Sequence, residues 1–296
     1  MDDFNVSELA LYFAMCLSII SIWIKNSFYI FNKPIKAWYV LFTLTSIASI
    51  IYGLIQVSGL IFCALLLASS YFTNKKHCPE KVKAASLVVT LLLCLSLSLH
   101  LISGFSRITI YDDFLIEGSK EPISFSINYG KFVIISFLIG VAYNKLSPPK
   151  EVLSSFISAL RFGLAWVPLV LVLGYFLGAQ FQFKIHPTIP LFASMNLLFT
   201  CTLEEVFFRG LIQSRLKEWL KKRTAYSAQL AIIIASTLFG IAHFSGGVEM
   251  VIAATLAGAG YGILFDRTKK IESAIFLHFL LNLSTFIIMV YPISFE

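Results

Sequence analysis

Charge is scarce in this chain. Asp, Glu, Lys and Arg make up 13% of its 296 residues, about half the share found in ordinary soluble domains. A solvated globular surface is therefore excluded for most of the sequence, and uncharged runs such as 37–74 take its place. Runs of at least about 18 apolar residues read as membrane spans. Cysteine is also sparse and unpatterned: five residues, at 16, 63, 78, 94 and 201, with no C-x-x-C pair. That spacing argues against a zinc ribbon or a disulfide framework and suits small, buried apolar side chains. The opening "MDDFNVSELA" has neither the positive n-region nor the cleavage site of a secretory signal, so the first span is expected to be retained. No G-x-S-x-G elbow and no H-E-x-x-H helix occurs, which removes two common nucleophile and zinc settings. No tandem repeat or low-complexity tract is present.

What remains is oil with clustered charge. The expected fold class is all-α, a polytopic bundle of about ten transmembrane helices, at roughly 9–24, 37–55, 58–73, 84–102, 132–143, 163–179, 191–208, 227–244, 248–265 and 272–292. The break between the second and third spans rests on "GLIQVSGL", residues 53–60. The net charge of +7 would suit nucleic acid, but its basic residues sit in short loops between spans, where they set topology. No nucleic-acid partner is expected. Of the 23 Lys and Arg residues, nineteen fall in one set of alternate loops; Arg107, Lys120, Lys131 and Lys184 make up the other. By the positive-inside rule both termini are expected outside the cytoplasm. The loop from Ser103 to Lys131, with Asp112, Asp113, Glu117 and Glu121, reads as a solvated outer loop. Gly258 and Gly262, four apart with Ala254 one turn earlier, read as a small-residue face for close helix packing.

Ionisable groups inside spans are costly and are functional candidates by default. Glu204, Glu205, His243 and His278 stand out, with Asn282 four residues after His278. On an α-helix, Glu205 and Arg209 share a face one turn apart in the favourable acid-before-base order. Glu204 points elsewhere and has no such helix partner. The turn marked by Lys221, Lys222 and Arg223 lies 19 residues after Glu204 and 20 before His243, which sets the two level across a helical hairpin, roughly mid-membrane. His278 is only about 10 Å of helix rise from the basic end of its own span, so its convergence with them requires tilt or a cavity. A carboxylate in a low-dielectric cavity can take a proton from water, a neighbouring histidine can orient that water, and a second histidine with an amide can stabilise an oxyanion. Blander readings compete. A Glu–Arg pair within one helix is often structural, and a single intramembrane histidine often only packs. Intramembrane Glu and His also build proton relays, so a proton-coupled transporter stays open beside peptide hydrolysis, as does a non-catalytic immunity-type membrane protein.

In their order, these residues resemble the CPBP family, the CAAX proteases and bacteriocin-processing enzymes also called Abi proteins. Its Glu-Glu-x-x-x-Arg, Phe-x-x-x-His and His-x-x-x-Asn motifs stand here as "EEVFFR" (Glu204 to Arg209), "FGIAH" (Phe239 to His243) and "HFLLN" (His278 to Asn282). The resemblance begins near residue 125. It implies a protease domain over 123–296 preceded by accessory transmembrane helices over 1–122. It further implies an intramembrane endopeptidase with a cavity open to the cytoplasm, acting near the terminus of a membrane-anchored or membrane-associated protein or peptide; the short loops and the ending "MVYPISFE" suggest a prokaryotic inner or plasma membrane. By carry-over Glu204 is the general base with His243 assisting, and His278 and Asn282 stabilise the oxyanion. Glu205 and Arg209 support them as an ion pair, and Phe239 packs beside His243. No cofactor is expected. Zinc, which two histidines and a glutamate could bind, is disfavoured because the ligands would come from three helices.

Overall fold

Hydropathy dictates most of the architecture. The computed structural model describes residues 6–24, 27–30, 33–75, 77–98, 101–116, 119, 122–143, 145–293 and 295. Of the charges named in the loops, Glu117, Lys120 and Glu121 lie outside the described residues, as do Lys25 and Lys76 of the nineteen in the other set. Among those described, ten helices form: α1 Val6–Trp23, α2 Ala37–Ile51, α3 Val57–Asn74, α4 Glu80–Ser98, α5 Tyr129–Ala142, α6 Pro149–Phe176, α7 Ile189–Leu220, α8 Ser227–Ile241, α9 Gly247–Thr268 and α10 Ile271–Ile288. Each falls where a span was expected. Five apolar segments are long enough to cross a bilayer by length and composition: α4, α6, α7, α10, and α9 together with the short turn before it. The other five are shorter apolar helices, so a count of ten spans does not follow from length. Large apolar side chains face outward along these helices, among them Leu164 at 80% and Phe176 at 79% exposure on α6. Soluble monomers rarely expose such surface; lipid accommodates it. The protein is an all-α membrane bundle.

The chain divides into two compact units, Met1–Asp112 with Ser124–Pro148, and Asp113–Ile123 with Pro149–Glu296. In the first, α2 stops at Ile51 and α3 starts at Val57, because the intervening backbone leaves the helix to pair elsewhere. Gln56 N–H donates to Gly104 O (3.0 Å) and Ser106 N–H to Leu54 O (2.9 Å). Gly104 takes φ +118° there, and a Cβ on Gly59 would lie 2.4 Å from its carbonyl oxygen, so both positions need glycine. The expected loop after α4 is not wholly irregular. It carries strands β3 Arg107–Phe114 and β4 Ile123–Asn128, paired in a two-stranded sheet, and a further pair, β1 Ser27–Ile30 and β2 Lys33–Lys36, precedes α2. Alternation explains the former, since Ile108, Ile110, Phe125 and Ile127 are buried. Asn128 then caps α5 by accepting from Gly130 N–H at 2.7 Å.

In the second unit α6 packs on α9 and α10, α8 on α9, and α7 on α8, α9 and α10. Their shared core holds Leu171, Phe208, Phe239, Tyr261 and Leu277. The feature that sets the site is in α7. Residues Asn196–Cys201 and Val206–Gln213 are π-helical, on either side of a single α turn, Thr202–Glu205. At each wide turn a hydroxyl reaches back five residues: Thr202 Oγ1 to Leu197 O (2.7 Å) and Ser214 Oγ to Arg209 O (2.9 Å). Such π turns are frequent at functional sites.

Candidate active site

The two acids of α7 have different surroundings. Glu205 is fully buried, and its Oε1 accepts from Arg209 Nη1 at 3.2 Å, with both side chains at 0% exposure. Arg209 continues across to α9, where its Nη2 donates to Gly258 O at 2.9 Å. The guanidinium lies 4.6 Å from the Phe239 ring centre and 5.2 Å from that of Tyr261, an aromatic cage that suits a delocalised cation. One helical turn further along both helices, Gln213 Nε2 donates to Gly262 O at 3.0 Å. The two glycines four apart are thus docking points for two side chains four apart, and a Cβ on Gly258 would stand 2.8 Å from Arg209 Nη2.

Glu205 has a second partner that sequence reasoning missed. Nδ1 of His278 lies 2.8 Å from its Oε1. A carboxylate only accepts, so that ring nitrogen carries the proton and the ring turns Nε2 outward. His243 is held in the same way, its Nδ1 donating to Phe239 O at 2.8 Å. It sits in the turn after α8 rather than inside a helix. Both Nε2 atoms then aim at Glu204, standing 4.0 Å (His243) and 3.9 Å (His278) from its Oε2. Those separations exceed a direct hydrogen bond. Glu204 Oε2 is itself buried and without a hydrogen-bond partner, and one water can bridge groups at this spacing.

The expected cluster therefore comes together, His278 included. Glu204 and Glu205 come from α7, Phe239 from α8 with His243 just beyond it, and His278 and Asn282 from α10. Phe239 lies 4.6 Å from His243, ring centre to ring centre, and 5.6 Å edge-on from His278. Tyr261 stacks on His278 at 4.6 Å and 15°. It was not a candidate, although it sits between the two docking glycines, and that pattern was the available signal. Asn282 Nδ2 faces Cys201 Sγ at 3.8 Å, and Cys201 in turn donates to Asn196 Oδ1 at 3.0 Å.

His243, His278, Asn282 and Tyr261 line a cavity of about 340 Å³ whose other walls are mostly apolar. It extends away from the basic turns, to Ala179, Met289, Tyr291, Ile293 and Phe295. Among the described residues no three His, Cys, Asp or Glu side chains form a group that could hold a metal ion.

Residues 186–284 match the family model described as Type II CAAX prenyl endopeptidase Rce1-like, and that segment contains all three motifs. The chain is also similar to a Bacillus subtilis (strain 168) protein named "Putative membrane peptidase YdiL". They are 25% identical over 260 residues, covering 86% of this chain and 90% of that one. No solved structure matches.

Proposed function

We propose that this chain, through its 186–284 core, is a membrane peptidase of the CPBP family, and that it is an intramembrane endopeptidase that hydrolyses a peptide bond of a membrane-anchored protein or peptide by a glutamate-activated water. The observation that carries the reading is Glu204 Oε2, buried, without a hydrogen-bond partner and within 4.0 Å of two histidine Nε2 atoms. A water held there donates a hydrogen bond to Glu204 and is oriented by His243. As its oxygen attacks the carbonyl carbon, Glu204 takes up the proton and negative charge moves to the carbonyl oxygen. His278 and Asn282 donate to that oxyanion. For that role the His278 ring must present an N–H at Nε2 as well as the one that Nδ1 gives to Glu205. When the C–N bond breaks, Glu204 returns its proton to the leaving amine and is regenerated.

Glu205 and Arg209 act at one remove. Their pair holds His278 in orientation, and Phe239 carries the carbonyl that orients His243. Cleavage of a membrane-anchored peptide by purified protein tests the reading. Glu204→Gln removes the proton acceptor and is expected to lower kcat by about 10²–10⁴. Its thermal unfolding should hardly move, because Oε2 has no bond to lose. A chelator should leave the wild-type rate unchanged. Full activity in Glu204→Gln refutes the mechanism, and loss of activity on chelation alone replaces it with a metal-dependent one.

A further inference from the structure

The second unit has a strongly polar distribution of cations along its axis. The start of α6 and the turns after α7 and α9 place Lys150, Lys221, Lys222, Arg223, Lys269 and Lys270 at one end. Ion pairs tie that end together: Lys270 Nζ to Glu151 Oε2 at 2.9 Å, and Lys217 to Asp266. The opposite end is tied by backbone pairing, with Lys184 N–H donating to Ile287 O and Gln182 N–H to Ile288 O, both at 2.8 Å. Among the described residues of this unit, the cation in the connection at that end is Lys184. It is 3% exposed, with its ammonium on Met289 O. Lys and Arg in short loops mark the cytoplasmic side, so the end holding Lys184 faces away from the cytoplasm.

The cavity lies towards that same end. Its walls come from the C-terminal half of α6 (Val170, Gly174), the start of α7 (Phe192), the start of α9 (Met250) and the end of α10 (Thr285). On the basic-turn side of the site stand Phe208, Arg209, Leu264 and Leu277, each at 8% exposure or less. Packed side chains thus lie on the basic side of the site and the cavity's walls on the other. This differs from the cytoplasmic opening that the family resemblance implied.

We propose that the site is served from the non-cytoplasmic face, and that its substrate is an extended, predominantly apolar peptide segment presented on that side of the membrane; this rests on the proteolytic reading above. The lining chemistry matches such an occupant. Asn196 and Thr200, four apart on α7, and Asn282 and Thr285, three apart on α10, put amides and hydroxyls on two packed helices within an otherwise apolar wall. Backbone groups of an extended chain need partners of that kind in a dry site, and its apolar side chains need the rest.

Labelling tests the sidedness without reference to catalysis. Met250→Cys and Thr285→Cys mark the cavity wall and Lys222→Cys the basic end, in a full-length background with the partly exposed Cys63 and Cys78 replaced by Ser. A charged, membrane-impermeant maleimide is applied to right-side-out spheroplasts and to inverted membrane vesicles, with denatured protein as the positive control. The expected result is labelling of both cavity positions only in spheroplasts and of Lys222→Cys only in inverted vesicles. Cavity labelling from the same side as Lys222→Cys overturns the proposal, and so does absence of native labelling at both cavity positions. In a second arm, an impermeant lipid-anchored reporter peptide added from outside is expected to be cleaved in spheroplasts and spared in inverted vesicles. Cleavage in neither, with the labelling as expected, refutes proteolysis of that reporter while the sidedness stands. Cleavage in inverted vesicles alone overturns the sidedness.

Discussion

Substituting Glu205 by Gln keeps the shape of the site and removes one charge, and the surroundings of Arg209 set the cost. Both partners of the pair are at 0% exposure, so the guanidinium would be left buried among Phe208, Phe239 and Tyr261 without a counter-charge, with only neutral carbonyl oxygens, that of Gly258 and at best the new side chain's amide oxygen, as acceptors. Breaking a buried ion pair by removing one partner costs about 3–5 kcal/mol. At about 2–4 °C per kcal/mol for a domain of this size, Tm in detergent should fall by roughly 6–20 °C. Activity should fall as well, because His278 loses the charged acceptor that holds its Nδ1. A double variant separates the two effects. Glu205→Gln with Arg209→Met replaces the stranded cation by an apolar chain whose sulfur suits an aromatic cage, and exchanging a buried pair for apolar side chains is often neutral or better. The double variant is expected to regain at least half of the lost Tm and none of the lost kcat. Intrinsic tryptophan fluorescence on heating and reporter-peptide cleavage provide the two readouts. A shift of less than about 2 °C in Glu205→Gln, or a double variant no more stable than the single, refutes the account of Arg209 as a paired buried charge.

The glycines of α9 should behave unequally. In Gly258→Ala the new Cβ meets Arg209 Nη2 at 2.8 Å and Phe239 Cδ1 at 3.1 Å, overpacking worth about 1–3 kcal/mol; thermal unfolding and cleavage assays should both register it. In Gly262→Ala the closest atom is Gln213 Oε1, also at 2.8 Å, but that is the end of a side chain that can rotate, so Tm should drop less and kcat should hold. Asn282→Ala removes a proposed oxyanion donor and is expected to lower kcat by about 10²–10³ with KM little changed. Steady-state kinetics on the reporter peptide would separate this from a binding defect, in which KM alone rises.

How much of the fold and the site was legible in the sequence depended on the kind of geometry involved. Helix positions were readable because burial in lipid imposes an apolar run on any helix that spans, and the break at "GLIQVSGL" falls where the backbone leaves the helix to pair with 104–106. The hairpin of β3 and β4 was missed because its apolar alternation is short and interrupted by Asp112 and Asp113. Local pairs on one helix were readable too: Glu205 with Arg209, and His278 with Asn282. Depth was not. Counting from the 221–223 turn set Glu204 and His243 level, whereas His278 counted from Lys270 came out too shallow. The two turns are not at one height. Lys217 already pairs with Asp266, so α7 runs past the level of the other turn, and its two π segments shift each residue from its place on a regular α-helix.

That shift bears on the two adjacent acids. On a regular helix Glu205 faces Arg209 and the account ends there, as an ion pair that neutralises itself. In the structure one carboxylate oxygen of Glu205 serves both Arg209 and His278. The stabilising pair and the orientation of the second histidine are therefore the same contact. A sequence cannot show which nitrogen of His278 meets Glu205, because that depends on how the ring of α10 enters the gap opened by α7. Once Nδ1 is committed to Glu205, Nε2 has one direction left, towards Glu204. The unpartnered acid and the committed histidine then face each other at 3.9 Å across the gap in which the proposed reaction would take place.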